Sequence, residues 1–541
     1  MSEPKVAKPG VFVRDATGLV RSLSAFDGIM FTLAYYNIAV AAFIVFGWGS
    51  WLFPGADMGI SVGVIGLLVD IPITIGYSFL AVGMPRSGGD YVYVSRALSA
   101  PLGTGVAFVF MIFFAMFSYG QNAWFTVTTA LAPGLAVLGY DLNSPVVANL
   151  GNVVTQPNIA IVIGIFMLLL TFVLTLIPTS ALHKSFLILS PIALIGYPII
   201  YIVMLATSSN AAFQTAFNTY AAAYGTSYQG IINSATTAGA VISPFSVSMS
   251  VAALPIVYAT MAFPNSAVYT AGEIKQPLRS MPISLGLGVL VICISTYLMA
   301  RVTYGIFGFG FIQATAFYGF SGASGYPLPA PPFTNLFFGI LFPNGLLNAF
   351  MLISAVSWEL ILMITNAFIA SRLLFSLAFD RVIPAGFADI SERFHTPVKA
   401  NIIALIGAFL FLVATAYSFL GAYVNSIVGW TSVYLIVMLT CVLFPFLKKQ
   451  LFESFPESAK RRVGGFPLMS IAGIFGTIAL VIVFYYLFNS PVVGISSGSL
   501  LGTGIVILVY VLSFVLYYGA KAFRKRQGLD LSFVFKEIPP E

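Results

Sequence analysis

The first feature of this sequence is how little charge it carries. Of its 541 residues only 24 are Lys or Arg and 17 are Asp or Glu, so charged residues make up 8%, whereas a soluble domain has about 25%. Hydrophobic residues make up 59%. A chain of this length cannot bury so much apolar surface in soluble cores and cover itself with so few charges. The composition excludes an ordinary soluble enzyme, a disordered protein and a secreted disulfide scaffold, and it predicts a protein of the lipid bilayer.

Cysteine and histidine are scarce as well. Cys293 and Cys441 both lie within apolar runs, which argues against a disulfide framework and against a metal cluster. His183 and His395 are too few for a multi-histidine metal site. We therefore expect no metal centre, no catalytic residues, and no cofactor beyond a coupling H⁺ or Na⁺. The net charge of +7 is better explained by membrane topology than by nucleic-acid binding, which we do not expect.

Long apolar runs, by contrast, are abundant. A helix needs about 20 mostly apolar residues to cross a bilayer. Twelve segments meet this requirement, and we number them spans 1 to 12: 24–48, 57–83, 101–132, 158–178, 184–206, 248–271, 282–309, 345–376, 400–420, 424–447, 466–488 and 499–519. Span 1 is too long for a signal-peptide core, so we expect it to stay uncleaved. The pattern predicts an all-α polytopic membrane protein with 12 transmembrane helices.

The positions of the basic residues give an independent test of this topology, because cytoplasmic loops are enriched in Lys and Arg. With the N-terminus in the cytoplasm, 23 of the 24 basic residues fall on the inner side. The exception, Arg301, lies within span 7 towards its outer end. We therefore predict 12 spans with both termini cytoplasmic. The outer segments 207–247 and 310–343 contain no charge, and we expect them to include short helices over the outer face.

Ionisable residues at membrane depth are functional candidates, because a charge there is costly. Glu359 lies about 20 Å from the inner end of span 8, at 1.5 Å per residue. Its carboxyl group could carry a proton or face a cation; alternatively it is structural, bonded to exposed backbone or to Arg301. Asp70 in span 2 either caps donors freed by a broken neighbouring helix or takes part in ion coupling. Asp27 belongs to an inner gate or caps the first helix.

Two spans carry signs of a broken helix. In span 6, Pro264 cannot donate to the carbonyl group of Thr260, which is thereby freed near mid-depth. Span 1 has a polar and aromatic patch followed by small residues at 34–39, also at mid-depth. Broken helices expose main-chain groups that bind substrates and ions in transporters built from inverted repeats. Two such patches five spans apart are what a 5+5 inverted repeat predicts.

The chain resembles the amino acid–polyamine–organocation transporter superfamily over most of spans 1 to 10. Three stretches carry the resemblance, each in a predicted inner loop: MPRSGGDYVYVSRAL at 84–98, GEIKQPLRSMP at 272–282, and SRLLFSLAFDRVIPAGFADISERFHTP at 371–397. Each stretch is a modest signal alone. All three in order, at the right spans and on one side of the membrane, are specific.

The resemblance implies a LeuT-type fold, in which two inverted five-helix repeats are followed by two peripheral helices. It divides the chain into an N-terminal leader (1–23), a first repeat (24–206), an outer loop (207–247), a second repeat (248–447), an inner loop (448–465), helices 11 and 12 (466–519) and a cytoplasmic tail (520–541). It also implies secondary transport of amino acids or related amines by alternating access.

By position, the family's substrate site falls on the broken parts of spans 1 and 6, with span 3 beside them. In the family, main-chain donors of span 1 hold the substrate carboxylate and carbonyl groups of span 6 receive its amine. The implied substrate-binding residues are Tyr35, Tyr36, Asn37, Ile38, Ala39, Tyr258, Ala259, Thr260, Phe263 and Asn122. Tyr119 of span 3 could line the site or serve only in packing between helices.

The sequence departs from the family pattern in two places. Span 1 has no glycine in its break, so the Tyr36 or Asn37 side chain could replace a close backbone contact. Span 5 has Ser190-Pro191 where many members have a lysine that stands in for sodium. Coupling therefore uses either a sodium ion between spans 1 and 8 or a protonatable carboxyl group. The ion-coupling candidates are Glu359, Ser354, Ser357 and Asp70.

These observations predict an amino acid permease of the plasma membrane, proton-coupled or exchanging. The expected partners are a small-molecule substrate and the bilayer, and the oligomeric state is open. The alternatives are a polyamine or cationic amine transporter, with Glu359 as the counter-charge, and a non-transporting sensor or partner subunit. A membrane enzyme is disfavoured because the sequence has no paired histidines and no HExxH motif.

Overall fold

The fold is described from a computed structural model of the chain. The residues described are 21, 23–34, 41–177, 179–261, 265–328, 332, 334–394, 396–489, 500–536 and 538. Within them the protein is a bundle of α-helices. Beside the helices it has a two-residue hairpin, in which Arg462–Val463 pairs antiparallel with Phe466–Pro467.

Ten helices in the described part of the chain are long and apolar enough to cross a membrane. They are Met58–Gly83, Ala100–Asp141, Pro157–Thr175, Lys184–Met204, Pro277–Phe307, Gly345–Phe379, Val398–Ser418, Ser426–Leu447, Leu468–Asn489 and Gly502–Arg526. They match predicted spans 2 to 5 and 7 to 12. The prediction of an all-α polytopic membrane protein is confirmed.

In spans 1 and 6 the described residues form shorter helices. Span 1 consists of the helix Ala25–Ala34 and, after residues 35–40, a π-helical turn Ala42–Trp48 that continues as Gly49–Leu52. Span 6 consists of Val247–Ala252 and Leu254–Met261, followed after residues 262–264 by the 3₁₀ helix Ser266–Thr270. The helical parts therefore flank the stretches in which the sequence predicts the breaks.

Several long helices contain π-helical turns, which widen the backbone spiral locally. Within Met58–Gly83 such a turn covers Ile65–Asp70, and within Ala100–Asp141 two cover Met111–Met116 and Thr126–Leu131. Span 5 runs as Thr179–Leu194, the π-helical turn Ile195–Ile200 and Tyr201–Ala206. Spans 9 and 10 are two helices, Val398–Ser418 and Ser426–Leu447, which meet at a kink where Ser418 has non-helical backbone angles.

The remaining helices are short and connect the spans. They are Asp90–Ala97, Pro145–Val154, Asn210–Ala222, Tyr228–Thr237, Phe309–Phe320, Thr334–Leu341, Ala385–Phe387, Lys449–Glu453 and Glu457–Ala459. Two predicted boundaries were wrong. Span 3 continues beyond 132 to Asp141, and the last helix continues beyond 519 to Arg526. Apolar length sets the minimum of a spanning helix, and polar residues can extend it into the interface.

Small residues bring the helices close together where they cross. A side chain at Gly120 in span 3 would overlap the backbone of span 9, and one at Gly473 in span 11 would meet the backbone of span 10. Gly28 in span 1 lies against Ser284 in span 7. Such close approaches maximise van der Waals contact, which drives helix association within a bilayer.

The two ends of the bundle differ in chemistry. One end, called the basic end here, carries the connections 84–99, 272–276, 380–397 and 448–465. At the opposite end, the uncharged segments 207–247 and 310–343 form the short helices that the sequence predicts. Their aromatic side chains pack together, with the Tyr228 ring stacked 4.5 Å from that of Phe311.

Candidate functional site

The candidate site is built around the end of the first half of span 1. Ala34 is the last described residue before the predicted break. Its carbonyl oxygen accepts a hydrogen bond of 3.2 Å from the indole Nε1 of Trp358, which is buried in span 8. This hydrogen bond joins span 8 to the helix Ala25–Ala34, next to the predicted break.

Glu359 follows Trp358 in span 8 and is fully buried. Its Oε1 lies 3.5 Å from Oγ1 of Thr129 in span 3. The alternative partner considered from the sequence, Arg301, is instead paired with Asp57 at the start of span 2. That pairing follows from position, because Arg301 and Asp57 both lie near the end of the bundle opposite the basic end, whereas Glu359 lies midway along span 8.

Ser354 lies one turn before Trp358 and contacts span 5. Its Oγ donates a hydrogen bond of 3.1 Å to the carbonyl oxygen of Ala193. This contact lies just before the π-helical turn Ile195–Ile200, which contains Pro198, so Ser354 joins span 8 to span 5 where the helix changes its pitch. Ser357 is buried on the same helix.

Asp70 lies in a different part of the bundle. It is fully buried in the π-helical turn of span 2, and neither of its carboxylate oxygens has a hydrogen-bond partner among the described residues. Tyr258 of span 6 and Cys293 of span 7 are its electrostatic neighbours. The predicted site residues thus fall into two groups, one around Glu359 and one around Asp70.

The other predicted contacts on spans 3 and 6 are partly engaged in their own helices. The Asn122 amide donates to the carbonyl oxygen of Ser118, and the Thr260 hydroxyl donates to that of Val257 at 2.8 Å. Ala259 is buried beside Thr260. The Tyr119 hydroxyl contacts Thr171 of span 4 at 3.0 Å, which agrees with a packing role.

Six of the predicted substrate-binding residues lie outside the described residues. They are Tyr35, Tyr36, Asn37, Ile38, Ala39 and Phe263. Their roles remain predictions. In the part of the chain that the structure describes, no group of three or more His, Cys, Asp or Glu side chains could hold a metal ion.

Two ion pairs are buried at the basic end. In the sequence analysis their residues are treated only as parts of the inner loops. Arg372 of span 8 makes a two-pronged contact with Glu273, at 2.8 and 3.2 Å, and both side chains are 1% exposed. Arg96 pairs with Asp380 at 2.6 Å. A buried pair is stable only while both partners are present. These pairs join the three signature stretches to one another and to span 8.

The start of the first span is held by the same connections. Leu23 donates its N–H to the carbonyl oxygen of Glu273, and its own carbonyl oxygen accepts from Lys275. Asp27 accepts two hydrogen bonds from Ser24, at 2.6 Å from the backbone and 2.7 Å from the hydroxyl. This is the reciprocal cap of a helix N-terminus, so the capping role considered for Asp27 is confirmed.

A third buried cluster at the basic end is centred on Asp90, outside the spanning helices. Its Oδ2 accepts from the Tyr269 hydroxyl at 2.5 Å and from the Asn265 amide at 3.2 Å. Tyr434 of span 10 donates to Oδ1 of Asn265 at 2.6 Å. Burial raises the pKa of the Asp90 carboxyl group from 3.8 to about 6, although the hydrogen bonds that it accepts lower it.

The glycine pair before Asp90 explains how this carboxyl group enters the bundle. Gly88 and Gly89 have φ values of 104° and 43°, which residues with a side chain adopt only at a cost. The turn places Asp90 as the first residue of the helix Asp90–Ala97. Asp90 was assigned no role in the sequence analysis. It could have been identified as a candidate because it is the one acidic residue in the stretch 84–98, which is otherwise apolar, basic or hydroxyl-bearing.

Comparisons with known proteins agree with this picture. A family model described as amino acid permease matches residues 24–512. A curated relative is the vacuolar cationic amino acid transporter 4 of Arabidopsis thaliana, which is 24% identical over 199 residues. That match covers 36% of this chain and 30% of the relative's length. The family match begins in span 1 and ends in span 12, so it includes both groups of site residues.

Proposed function

Because the chain belongs to the amino acid permease family, within the amino acid–polyamine–organocation superfamily, we propose that it moves amino acids or related amines across the plasma membrane by alternating access. The family makes it a membrane transporter and not an enzyme. The observation that carries the proposal is the family match over residues 24–512, which takes in both spans that the sequence predicts to be broken.

We propose 12 transmembrane helices arranged as two inverted repeats, 24–206 and 248–447, with helices 11 and 12 at the periphery. The polar and aromatic patch at 34–39 and Pro264 in the sequence support this arrangement, because they lie five spans apart at corresponding places. An odd number of helices per repeat is required for the second copy to be inverted. Both termini are then cytoplasmic, since 23 of the 24 basic residues fall on that side.

The substrate would bind beside the break in span 1, between spans 1, 3, 6 and 8. A half-helix that begins after the break presents backbone N–H groups, which favour the substrate carboxylate. The carbonyl groups that Pro264 frees in span 6 favour an ammonium group. The hydrogen bond between Trp358 and Ala34 supports the proposal, because it fixes one wall of this site.

Proton coupling through Glu359 is the mode that we favour. The Glu359 carboxyl group is fully buried midway along span 8, and its Oε1 lies 3.5 Å from the Thr129 hydroxyl of span 3. A titratable group at that depth, next to the residue that contacts Ala34 of span 1, could carry the coupled proton.

Sodium coupling is the second candidate, and Ser354 is the observation behind it. Its hydroxyl group donates to the Ala193 carbonyl group, and a hydroxyl oxygen that donates a hydrogen bond can also act as a cation ligand. Sodium is a hard ion that takes oxygen ligands, as Ca²⁺ and Mg²⁺ do. Ser354 and Ser357, with main-chain oxygens of span 1, would then form the ion site between spans 1 and 8.

The substrate class could include cationic amino acids or polyamines. The curated relative is a cationic amino acid transporter, and Glu359 offers a buried carboxyl group next to Trp358, which contacts Ala34 of span 1. A cationic side chain would pair with it. No cofactor is needed for transport other than the coupling ion.

The decisive experiment is uptake by the purified full chain in proteoliposomes. A panel of labelled neutral and cationic amino acids and polyamines would be offered under imposed proton or sodium gradients. We expect gradient-dependent accumulation or counterflow of at least one amine-bearing solute. If no solute of the panel is accumulated or exchanged, the transport proposal fails and a sensor or partner subunit becomes the better explanation.

The coupling role has its own test in Glu359→Gln. We expect the variant to lose the dependence of uptake on the proton gradient while exchange of substrate continues. Glu457→Gln is the matched control, because its side chain is 92% exposed at the basic end. Unchanged rate, affinity and pH dependence in Glu359→Gln would contradict proton coupling at this residue.

A further inference from the structure

An apolar groove runs between spans 2 and 7 on the outside of the bundle. Its volume is about 490 Å³, and its lining is almost entirely apolar. Glycines form part of its walls, and at Gly63 and Gly286 an added Cβ atom would meet nothing within 4 Å. At Gly66, by contrast, a Cβ atom would collide with Sγ of Cys293. The helices therefore touch at Gly66 and leave open space on either side of it.

The groove is elongated and opens sideways, towards the hydrocarbon of the membrane. Its lining residues extend from Val62 to Ile75 along span 2, which at 1.5 Å per residue is about 20 Å. One leaflet of hydrocarbon is about 15 Å thick. Leu67 on its rim is 67% exposed, and the neighbouring Leu68 is 61% exposed. Because these helices face lipid, the molecules that reach the groove are those of the bilayer, and its shape suits a single alkyl chain.

A cation lies at one end of this groove. Arg301 is one turn beyond Tyr297, which lines the groove, and its guanidinium group lies over that ring at 5.6 Å from the centroid. The side chain is 42% exposed, although it is paired with Asp57. Arg301 is also the one basic residue of the sequence that the topology does not assign to the inner side.

Arginine can hold two acceptors at once. The guanidinium group has five N–H donors in a planar fork that matches phosphate. It contacts a single carboxylate oxygen, Oδ1 of Asp57, and it lies about one and a half turns from the end of the helix Pro277–Phe307, near the depth at which headgroups are expected. An interfacial arginine above an apolar groove matches an anionic headgroup followed by its alkyl chain.

We propose that the groove between spans 2 and 7 is a phospholipid-binding site. One alkyl chain fills the space at Gly63 and Gly286, and the phosphate group is held by Arg301. An empty groove of this kind would forfeit van der Waals contacts along its whole length. The lipid would thereby contribute to the packing of two helices that belong to different predicted repeats.

The test uses the full chain purified in detergent and incubated with phosphatidylglycerol. Native mass spectrometry would count the lipids that remain bound. Gly63→Leu and Gly286→Leu fill the groove and should each remove one tightly bound lipid. Gly504→Leu is the matched control, because Gly504 is an exposed helical glycine of the last helix with nothing within 4 Å of its Cβ position. The control should retain the lipid.

The headgroup contact is tested by Arg301→Gln and by the double variant Asp57→Asn with Arg301→Gln, which leaves no unpaired carboxylate. Both variants should bind phosphatidylglycerol about tenfold more weakly than the wild type does, as expected for loss of a charge-assisted hydrogen bond. The wild type should bind a glycolipid with the same alkyl chains and no phosphate about as weakly as these variants bind phosphatidylglycerol. Equal lipid retention by the wild type and the two groove-filling variants, or an unchanged affinity in both Arg301 variants, would overturn the proposal.

Discussion

The buried carboxyl group of Asp90 predicts a specific dependence of stability on pH. Its pKa is raised to about 6 in the folded protein, against 3.8 for an exposed aspartate, because burial disfavours the charged form. Between these two values the folded protein holds the proton more often than the unfolded chain does. The free energy of unfolding must therefore fall as the pH rises from about 4 to about 6, and this contribution must be constant above that.

The size of the effect follows from the difference between the two pKa values. About 2 units at 1.36 kcal/mol each give about 3 kcal/mol. Asp90→Asn cannot titrate, yet its amide oxygen can still accept the hydrogen bond from Tyr269. About 1 kcal/mol of this already applies at pH 4.5, because that pH lies above 3.8. We therefore expect the stability of the variant relative to the wild type to rise by about 2 kcal/mol between pH 4.5 and 7.5. With about 2 cal/mol/K of unfolding entropy per residue, this corresponds to about 2 °C in the midpoint of unfolding.

The assay is thermal unfolding of the detergent-solubilised wild type and Asp90→Asn at several pH values. Comparing the two proteins at each pH cancels the titration of all other groups. Asp389→Asn serves as a control, because its side chain is 63% exposed, and its curve should run parallel to that of the wild type. If the Asp90→Asn and wild-type curves are also parallel between pH 4.5 and 7.5, the reasoning about Asp90 is refuted.

Three further predictions concern contacts at the basic end and in the site. Glu273→Gln should lower the free energy of unfolding by about 3–5 kcal/mol, because it leaves the Arg372 guanidinium group buried and unpaired. Adding Arg372→Met should recover much of that loss in thermal unfolding, and no recovery would contradict the pairing. Gly120→Ala should cost about 1–3 kcal/mol, because its new Cβ overlaps the backbone of span 9; an unchanged midpoint of unfolding would contradict that close approach. Trp358→Phe removes the donor to the Ala34 carbonyl group and should weaken substrate binding in uptake assays; an unchanged affinity would contradict the position of the site.

The spans could be predicted because apolar length is a local property. Ten helices in the described residues lie within a few residues of the predicted segments at most of their ends. The exceptions include the end of span 3, where the helix continues through Pro133 and Gly134 to Asp141, and the end of the last helix, which continues through basic residues to Arg526. Whether a helix continues past a proline and a glycine, or beyond its apolar run, depends on what it packs against, and hydropathy does not record this.

Partners across the bundle could not be predicted in the same way. From the sequence alone, Arg301 was a candidate partner of Glu359, but it pairs with Asp57, 244 residues away. Arg96 and Arg372 were treated as marks of the cytoplasmic side, yet both are buried in ion pairs. Charge type and depth identify which residues need a partner, while the lateral order of the helices decides which partner each one meets.

The sequence by itself determined that this protein is a polytopic helical membrane protein of the permease family, because composition, apolar length and signature motifs are read along the chain. Only the tertiary structure decided how its few charges are used. It separated Asp70 from Glu359, joined Glu273 to Arg372, and placed Asp90 in a buried cluster. The physical reason is that a charge in a low-dielectric bundle is stable only beside a suitable partner, and packing brings such partners together from distant parts of the chain.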